Sequence, residues 1–575
     1  MKNQPTTTPP SQRHRGGKSR RASVARMAAA ILVATPVALT PWSAAQNAHA
    51  ATKDPTVKKS VASVLAARKK PTPRTGAQKP LPALSKAQYL AQKPAWSYKT
   101  CSTAARVAAD TGNSPYPIEC ARIRTPLDWQ DFSKGSINLN ITRLKHSSKA
   151  RSARPLFVNP GGPGSPAGEF VSAIADSKES LRTTHDIIGV DPRGTGLSSP
   201  VECPLPDFTP KDQRDTSKAV RERMWQSYKQ WTQACTSKHP KVLPHITTAN
   251  TVADMDLVRQ VLGFKTIDFF GTSGGSWMGA WMAKLYPHST GRVLTDANAK
   301  FTGDWRSSFA LMPQGFQRRW DKQALPWIAR HNKDFGLGTT ANEVRNNYEK
   351  IRSEVAKGRV RDLTPASFDA TLMQMLYSDE SLSSIGATLK QLNVSLRSSK
   401  GTVKMPSGQT FEPDDNESLL STQTVRTAIV CNDTNFDRRR ESLEKEYLDA
   451  QKKYPLQGSM LSVIAAPCAY WPWAPKKVPT INGSGSVNIL MIQGEVDPAT
   501  PVEGARAAHA AHSATRMITI DNDGNHGAFT SAPDNKCVNN IALAWLQRGI
   551  WPRQDVTCKG APLPMENKIF EVTTP

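Results

Sequence analysis

The spacing of apolar residues divides the chain between about residues 154 and 300 into alternating strands and helices. Short apolar runs predict buried strands at 156–158, in HDIIGV, in TIDFFG and in RVLTDA. TVADMDLVRQVLG, before the third strand, and SWMGAWMAKLYP, after it, are predicted as helices. This alternation predicts a mostly parallel sheet with helices on both faces.

Between about residues 301 and 480 the pattern changes, and it predicts mainly helices. Thr340 and Glu343 have the spacing of a helix capping box. The apolar residues of the helical face that follows are Val344, Tyr348, Ile351 and Val355. Strands in VNILMIQGEVD and RMITIDN and helices in PVEGARAAHAAH and VNNIALAWLQRG then restore the alternation. The chain is therefore predicted to be an α/β core interrupted by a helical cap.

The first 50 residues have the order of an export signal. A basic segment extends to Arg26, the apolar stretch MAAAILVATPVAL follows, and Ala48-His49-Ala50 has the small-x-small pattern of a cleavage site. Residues 51–95 are rich in Lys, Ala and Pro, a composition typical of a flexible pro-segment or linker. The predicted order is a signal peptide (1–50), this linker (51–95), the first part of the core (96–300), the cap (301–480) and the last part of the core (481–575).

The formal charge of +27 lies mostly at the start of the chain and is not the signature of a nucleic-acid-binding domain. Residues 1–100 hold 18 Lys and Arg against the single acid Asp54, so the other 475 residues carry +10. A basic tail would give at most a weak association with an anionic cell wall. No apolar segment predicts a membrane span, because the one in the signal is short and contains Pro36. We expect a secreted protein.

The eight cysteines predict disulfides. They are widely spaced, and they form no CxxC pair of the kind that holds zinc. An even number of cysteines in an exported chain fits four bridges, although spacing alone does not fix the partners.

The stretch GTSGG, from Gly271 to Gly275, matches the G-x-S-x-G nucleophile elbow of the α/β-hydrolase fold. The predicted strand before it and the predicted helix after it are the context in which this motif exposes a reactive serine. Ser273 is therefore the candidate nucleophile. Ser276 is the rival serine, but it would already lie inside the helix.

A serine nucleophile needs a base and an acid that orients the base, and in this fold they follow in the order Ser, Asp or Glu, His. His526 lies in a loop after the strand RMITIDN, and Asp497 lies at the end of VNILMIQGEVD. Ser273, Asp497 and His526 are the predicted catalytic residues. The residues considered and set aside are Asp191, Glu495, His509, His512 and Asp523.

The loop NPGGPGSPAG follows an earlier predicted strand and is the candidate oxyanion hole. Backbone N–H groups of Gly162 and of Gly274, directly after the nucleophile, would face the oxygen of a tetrahedral intermediate. An ordinary proline-glycine turn is the alternative interpretation. In DPRGTGLSS, an ion pair between Asp191 and Arg193 is expected to hold the turn together.

With these residues in hand, the chain resembles the secreted tripeptidyl aminopeptidases of actinobacteria, which are α/β hydrolases related to prolyl aminopeptidases. The resemblance rests on NPGGPGS, GVDPRGTGLSS, the elbow, CND, PCAYWPW, GEVDPATP and GNHGAFT, in that order between about residues 101 and 558. It implies a serine exopeptidase that removes tripeptides from free N-termini, and it implies the same three catalytic residues.

The resemblance also implies four sequential disulfides: Cys101–Cys120, Cys203–Cys235, Cys431–Cys468 and Cys537–Cys558. One residue departs from the family, which usually has tyrosine after the nucleophile where this chain has Gly274. A glycine keeps the backbone donor, so the departure bears on substrate preference and rate more than on the reaction class.

The expected substrates are peptides with free N-termini, and no metal or organic cofactor is implied. Two alternatives stay open: an esterase or lipase of the same fold, and a non-catalytic cell-wall-associated protein. An aminopeptidase needs a carboxylate for the substrate's α-amine. Asp433 in CNDTNF is the candidate, with capping of a helix or pairing with Arg438 as the alternative.

Overall fold

The computed structural model describes residues 77–111, 116–147, 153–404, 417–476, 478–531, 535–572 and 574, and within them it contains one sheet of nine strands. The strands are β1 (Ile118–Pro126), β2 (Ser136–Leu144), β3 (Arg154–Asn159), β4 (His185–Val190), β5 (Ile267–Thr272), β6 (Thr290–Asp296), β7 (Ile489–Gly494), β8 (Thr515–Asp521) and β9 (Val556–Lys559). Their order across the sheet is β1-β2-β4-β3-β5-β6-β7-β8-β9.

The sheet is parallel except at one edge. β2 pairs antiparallel with both β1 and β4, and every pair from β4–β3 to β8–β9 is parallel. The strand alternation read from the sequence therefore gives the expected mostly parallel sheet, and the fold is that of an α/β hydrolase. Because every strand except β2 points the same way, the carboxyl ends of β3 to β8 meet at one edge of the sheet.

The helices outside the segment between β6 and β7 come from both halves of the chain. They are α1 (Lys86–Leu90), α2 (Thr103–Thr111), α3 (Gly168–Ser177), α4 (Lys218–Lys238), α5 (Thr248–Val261) and α6 (Gly274–Leu285), and then, after the insertion, α17 (Val502–Ala510), α18 (Ala528–Ser531) and α19 (Lys536–Leu543), which ends in a π-helical turn at Ala544–Arg548. Strand β5 is buried along its whole length, and ten of the twelve residues of α6 are buried, so this strand and helix lie in the centre of the core.

Between β6 and β7 the described chain is helical, as the sequence predicts. The helices are α7 (Trp305–Phe309), α8 (Met312–Arg319), a π-helical turn (Trp320–Ala324), α9 (Leu325–Arg330), α10 (Asn332–Phe335), α11 (Ala341–Ala356), α12 (Pro365–Met375), α13 (Leu382–Ser398), α14 (Glu417–Asp433), α15 (Arg440–Lys453) and α16 (Met460–Ala465). The predicted capping box of Thr340 and Glu343 starts α11. Its predicted apolar face is buried, at Val344, Tyr348, Ile351 and Val355.

Part of the predicted linker is packed against the core. Leu81 exchanges backbone hydrogen bonds with Ser136 of β2, and Tyr89 of α1 is buried. The linker prediction is therefore wrong for residues 77–95, because the backbone of Leu81 pairs with β2 and the ring of Tyr89 packs edge-on against Phe132, which lies between β1 and β2. The predicted signal peptide and residues 51–76 lie outside the described residues. Within the described part of the chain, none of the helices has the length and apolar composition of a membrane span.

Candidate active site

Ser273 occupies the turn between the central strand β5 and helix α6. Its backbone has φ 58° and ψ −124°, a positive φ that is uncommon for a residue with a side chain. The turn is fixed from both sides, because Ser273 N–H donates to the Asp296 carbonyl at 3.0 Å and the Ser273 carbonyl accepts from Ser276 N–H at 2.9 Å. A strained serine between strand and helix is the geometry of a nucleophile elbow.

The glycines around Ser273 are required by close contacts between backbones. A Cβ on Gly271 would lie 2.3 Å from the Gly275 carbonyl oxygen, and one on Gly275 would lie 2.5 Å from the carbonyl oxygen of Asn159 at the end of β3. These separations are far below contact distance, so only glycine fits at either position. The crowding brings the start of α6 against the loop that follows β3.

The loop after β3 lies directly beside the nucleophile turn. Gly161, Gly162 and Gly164 all have positive φ, and Asn159 accepts the Gly161 N–H through Oδ1 at 2.9 Å. A Cβ on Gly161 would lie 2.6 Å from Gly274 N, and one on Gly274 would lie 3.1 Å from Gly162 N. The two predicted oxyanion donors, Gly162 and Gly274, are therefore neighbours across this contact. Their role as donors remains a prediction.

The predicted acid and base lie in direct contact. Nδ1 of His526 is 3.0 Å from each carboxylate oxygen of Asp497. The backbone N–H of His526 donates to the Tyr377 carbonyl at 2.9 Å. The Tyr377 ring packs edge-on against the imidazole, with 5.2 Å between the ring centroids. The imidazole is thus held on one side by the core acid and on the other by a residue of the helical insertion.

Asp497 accepts more hydrogen bonds than the one to the imidazole. Its Oδ1 accepts from Ala499 N–H at 2.8 Å and from Thr500 N–H at 3.1 Å, and its Oδ2 accepts from the Thr500 hydroxyl at 2.7 Å. Asp497 is thus fixed by its own backbone and by Thr500 in a position from which it contacts Nδ1 of His526.

A second buried acid, Asp296, links the nucleophile to the base, and the sequence analysis did not identify it. Its carbonyl holds Ser273 N–H, and its Oδ2 accepts from Phe529 N–H at 2.7 Å, three residues after His526. Burial and the nearby charge of Asp497 raise the pKa of Asp296 to about 7. Its position at the end of β6, next to the nucleophile strand, was the signal available in the sequence.

The serine and histidines set aside in the sequence have other partners. The Ser276 hydroxyl donates to the Ser273 carbonyl at 2.6 Å and accepts from Ala299 N–H at 3.0 Å. His509 Nε2 lies 2.8 Å from Asp555, and His512 is buried against Phe301.

The rival acids also have other partners. Both oxygens of Asp523 accept from Asn525, and Glu495 lies 3.3 Å from Arg506. Asp191 is buried and accepts from the N–H groups of Ala167 and Leu197.

The expected ion pair between Asp191 and Arg193 is not the one that forms. Arg193 is buried and donates to Asp254 of α5 through Nε at 2.8 Å and Nη2 at 2.6 Å. Asp191 instead accepts from backbone N–H groups and from Asn140. The pairing prediction is wrong because the turn directs Arg193 inward, to an acid more than sixty residues along the chain.

Asp433 does not have the environment of a substrate-amine ligand. It is buried at the end of α14, where both oxygens accept from Thr248 N–H at 3.0 Å and Oδ2 also accepts from the Thr248 hydroxyl. It therefore caps the first turn of α5, the alternative considered from the sequence. Burial raises the pKa of Asp433 to about 7, which further weakens it as a fixed negative charge. We do not retain it as the amine ligand.

All eight cysteines are paired as the family resemblance implies. The bridges are Cys101–Cys120, Cys203–Cys235, Cys431–Cys468 and Cys537–Cys558. Each closes a local loop, the longest with a sequence separation of 37. The third bridge fixes the end of α14 to the 3₁₀ turn at Ala466–Tyr470.

Two family models match the chain. The model described as "alpha/beta hydrolase fold" matches residues 154–334, and the model described as "TAP-like protein" matches residues 454–558. The first covers the loop after β3 and the nucleophile turn, and the second covers Asp497 and His526.

Curated relatives match over most of their own length. The chain is 27% identical over 461 residues to a tripeptidyl aminopeptidase of Streptomyces lividans, covering 78% of this chain and 84% of the relative. It is 21% identical over 463 residues to the serine protease Hip1 of Mycobacterium tuberculosis, covering 76% and 87%. Among solved structures, a proline iminopeptidase of Mycobacterium smegmatis aligns with a TM-score of 0.36 at 13% identity, covering 74% of this chain and 99% of the other.

Proposed function

Because the chain is a TAP-like α/β hydrolase and an enzyme of the serine aminopeptidase class, we propose that it is a secreted exopeptidase that releases tripeptides from free N-termini through an acyl-enzyme on Ser273. The observation that carries the proposal is the contact of His526 with Asp497 in a core whose central strand ends at the strained Ser273. The relatives named as tripeptidyl aminopeptidases support the substrate class.

In the proposed reaction, Ser273 Oγ attacks the scissile carbonyl carbon while Nε2 of His526 takes the hydroxyl proton. Asp497 holds Nδ1–H and stabilises the imidazolium that forms. The N–H groups of Gly162 and Gly274 donate to the oxyanion of the tetrahedral intermediate. His526 gives this proton to the leaving amine. In the second half of the reaction, His526 takes a proton from a water molecule that attacks the acyl carbon, and it gives that proton to Ser273 Oγ as the bond between Oγ and the acyl carbon breaks.

In this proposal, the helical insertion closes one end of the substrate-binding cleft. We take residues 96–300 and 481–575 as the catalytic core and residues 301–480 as a cap. Tyr377 of the cap packs on His526, and a Cβ on Gly164 would lie 2.8 Å from the side chain of Val425 in α14. Cap residues therefore border both the base and the candidate oxyanion loop, where they can limit how far a peptide extends.

Secretion is part of the proposal and rests on two features. The first 50 residues have the order of an export signal. Four disulfides are typical of proteins that mature in an oxidising compartment. The basic segment after the signal would add a weak attraction to an anionic cell wall.

The test compares three substrates: a tripeptidyl anilide with a free amine, its N-acetylated form with the same leaving group, and a simple acyl ester. The proposal expects turnover of the free-amine tripeptide, with kcat/KM at least about tenfold higher than for the acetylated form, which is about 1.4 kcal/mol of transition-state discrimination. Turnover of the ester without turnover of the free-amine tripeptide would indicate an esterase. No turnover of any of them, with retained binding to cell-wall preparations, would indicate a non-catalytic protein.

A further inference from the structure

The five residues before and at the proposed base, 522–526, are held by the helical insertion rather than by the core alone. His526 N–H donates to the Tyr377 carbonyl, and Asn522 accepts through its carbonyl from the side-chain amide of Gln323 at 3.0 Å. Gln323 belongs to the π-helical turn after α8, and Tyr377 follows α12. Both ends of this segment are thus attached to the insertion.

Arg319, the last residue of α8, lies at the centre of this contact and is fully buried. Its Nε donates to the Leu376 carbonyl at 2.6 Å, its Nη1 donates to Gln323, and its Nη2 lies 2.9 Å from Oδ1 of Asp379. A single guanidinium therefore joins α8 to the segment that carries Tyr377 and Asp379. Burying an arginine is costly, so its retention requires these partners.

Asp379 extends these contacts to residues 522–526, which we call the base loop. Its backbone N–H donates to Oδ1 of Asn525 at 2.9 Å, and its Oδ2 accepts from Nδ2 of Asn525 at 3.0 Å. Asn525 is the residue directly before His526, so the reciprocal pair fixes the backbone from which the imidazole projects.

Two further features show that the loop and the guanidinium are built to fit each other. A Cβ on Gly524 would lie 1.4 Å from Nη1 of Arg319, so only glycine allows the guanidinium to lie against the loop backbone. Both oxygens of Asp523 accept from Asn525, at 3.0 and 3.1 Å. Burial and the nearby carboxylate of Asp379 raise the pKa of Asp523 to about 8.

We propose that Arg319 and Asp379 are positioning residues for His526, so that the general base is competent only when the helical insertion is seated on the core. The inference rests on the proposed role of His526 in serine catalysis, but it does not depend on which acyl substrate is cleaved. The helical insertion would then orient the general base, in addition to limiting access to the cleft. Small displacements of a catalytic group are enough to cost about 100-fold in rate.

The experiment compares Arg319→Met with Arg318→Met. Arg318 is the neighbouring residue on the same helix, and it joins the insertion to α17 through an ion pair with Glu503 of 2.5 Å without contact to the base loop. Two rates are measured: covalent labelling of Ser273 by a fluorophosphonate, resolved into its maximal rate and its half-saturation concentration, and turnover of the free-amine tripeptidyl anilide.

The proposal expects Arg319→Met to lower the maximal labelling rate and kcat by about 10- to 100-fold with KM within about twofold. Arg318→Met is expected to stay within about twofold on both rates, and Arg319→Lys, which keeps the charge, is expected to recover part of the loss. Labelling within twofold of the wild type in a folded Arg319→Met variant would overturn the proposal, as would a loss that appears only in KM.

A second variant protects the test against misfolding. Arg319→Met combined with Asp379→Leu removes both charges together and leaves neither unpaired in the interior. The expected loss in labelling is the same 10- to 100-fold, and labelling within twofold of the wild type would again overturn the proposal. If wild-type protein is labelled at Ser273 but cleaves no tripeptide, the proposed substrate is wrong, while the labelling rates still decide the role of Arg319 and Asp379.

Discussion

Replacing Asp497 with asparagine should abolish most of the activity while leaving the fold intact, because of how the acid's hydrogen bonds are divided. Oδ1 accepts from two backbone N–H groups, those of Ala499 and Thr500, whereas Oδ2 accepts from the Thr500 hydroxyl. In Asp497→Asn the amide oxygen must therefore take the Oδ1 position, since an NH₂ group there would face two donors. The NH₂ group then lies at the Oδ2 position.

This orientation fixes the imidazole in the wrong tautomer. Nδ1 of His526 lies 3.0 Å from both Asp497 oxygens in the wild type. After the substitution, the oxygen at the Oδ1 position already accepts from two N–H groups and the new NH₂ group faces Nδ1, so Nδ1 becomes the acceptor and Nε2 carries the proton. A protonated Nε2 cannot take the proton of Ser273. The same substitution in a Ser-His-Asp enzyme lowers kcat by about 10⁴, which corresponds to about 5.4 kcal/mol of transition-state stabilisation.

The assay is kcat for the free-amine tripeptidyl anilide, with the melting temperature as the control for folding. We expect a loss of about 10³- to 10⁴-fold in kcat and little change in KM. The melting temperature should stay close to that of the wild type, because the N–H groups of Ala499 and Thr500 keep their acceptor and the Thr500 hydroxyl can accept from the new NH₂ group. A folded Asp497→Asn enzyme that retains more than about a tenth of wild-type kcat would refute the assignment of the orienting acid.

Three further predictions concern the oxyanion loop, a buried acid and a disulfide. Gly161→Ala places a Cβ 2.5 Å from the Thr272 carbonyl oxygen, at a residue with φ 98°. We expect this substitution to lower the stability by more than about 2 kcal/mol and to reduce fluorophosphonate labelling. Unchanged labelling would contradict the tight packing of this loop. The pKa of Asp523 is raised to about 8, so between about pH 4 and pH 8 the folded state keeps a proton that the unfolded state has lost, and the stability of the wild type falls as the pH rises. The melting temperature of Asp523→Asn should therefore rise relative to that of the wild type between pH 5 and pH 8. A constant difference between the two melting temperatures would argue against a raised pKa. Replacing Cys431 and Cys468 together with serine should cost about 4 kcal/mol in the chain-entropy model for this loop, and peptide mapping without reductant should recover the pair as one linked fragment in the wild type.

The central part of the fold could be read from the sequence because its signals are local. The apolar run before Ser273 and the helical pattern after it predict β5 and α6, and the structure has both. The antiparallel pair β1 and β2 was not predicted, although Ile137, Leu139 and Ile141 alternate with polar residues as a half-buried strand does. That signal is short, and it lies beside a glycine turn without a strong hairpin motif.

The order of motifs along the chain predicts Asp497 and His526, but it does not predict contacts that depend on packing between distant segments. In the sequence, Asp433 is an acid in a loop and was therefore a candidate ligand for the substrate amine. In the fold, it instead accepts from the N–H group at the start of α5. Arg319 and Asp296 carry no motif. Arg319 meets the base loop only because α8 folds across it, and Asp296 meets it because β6 lies next to β5.

The most direct test of the account is the site of covalent modification by a fluorophosphonate, read by mass spectrometry of peptides from the disulfide-intact protein. We predict one adduct per chain, on the peptide that contains Ser273, formed in the wild type, lost in Ser273→Ala and slowed by about 10³-fold or more in His526→Gln. Labelling that persists in Ser273→Ala, an adduct on Ser276, or full-rate labelling without His526 would contradict it.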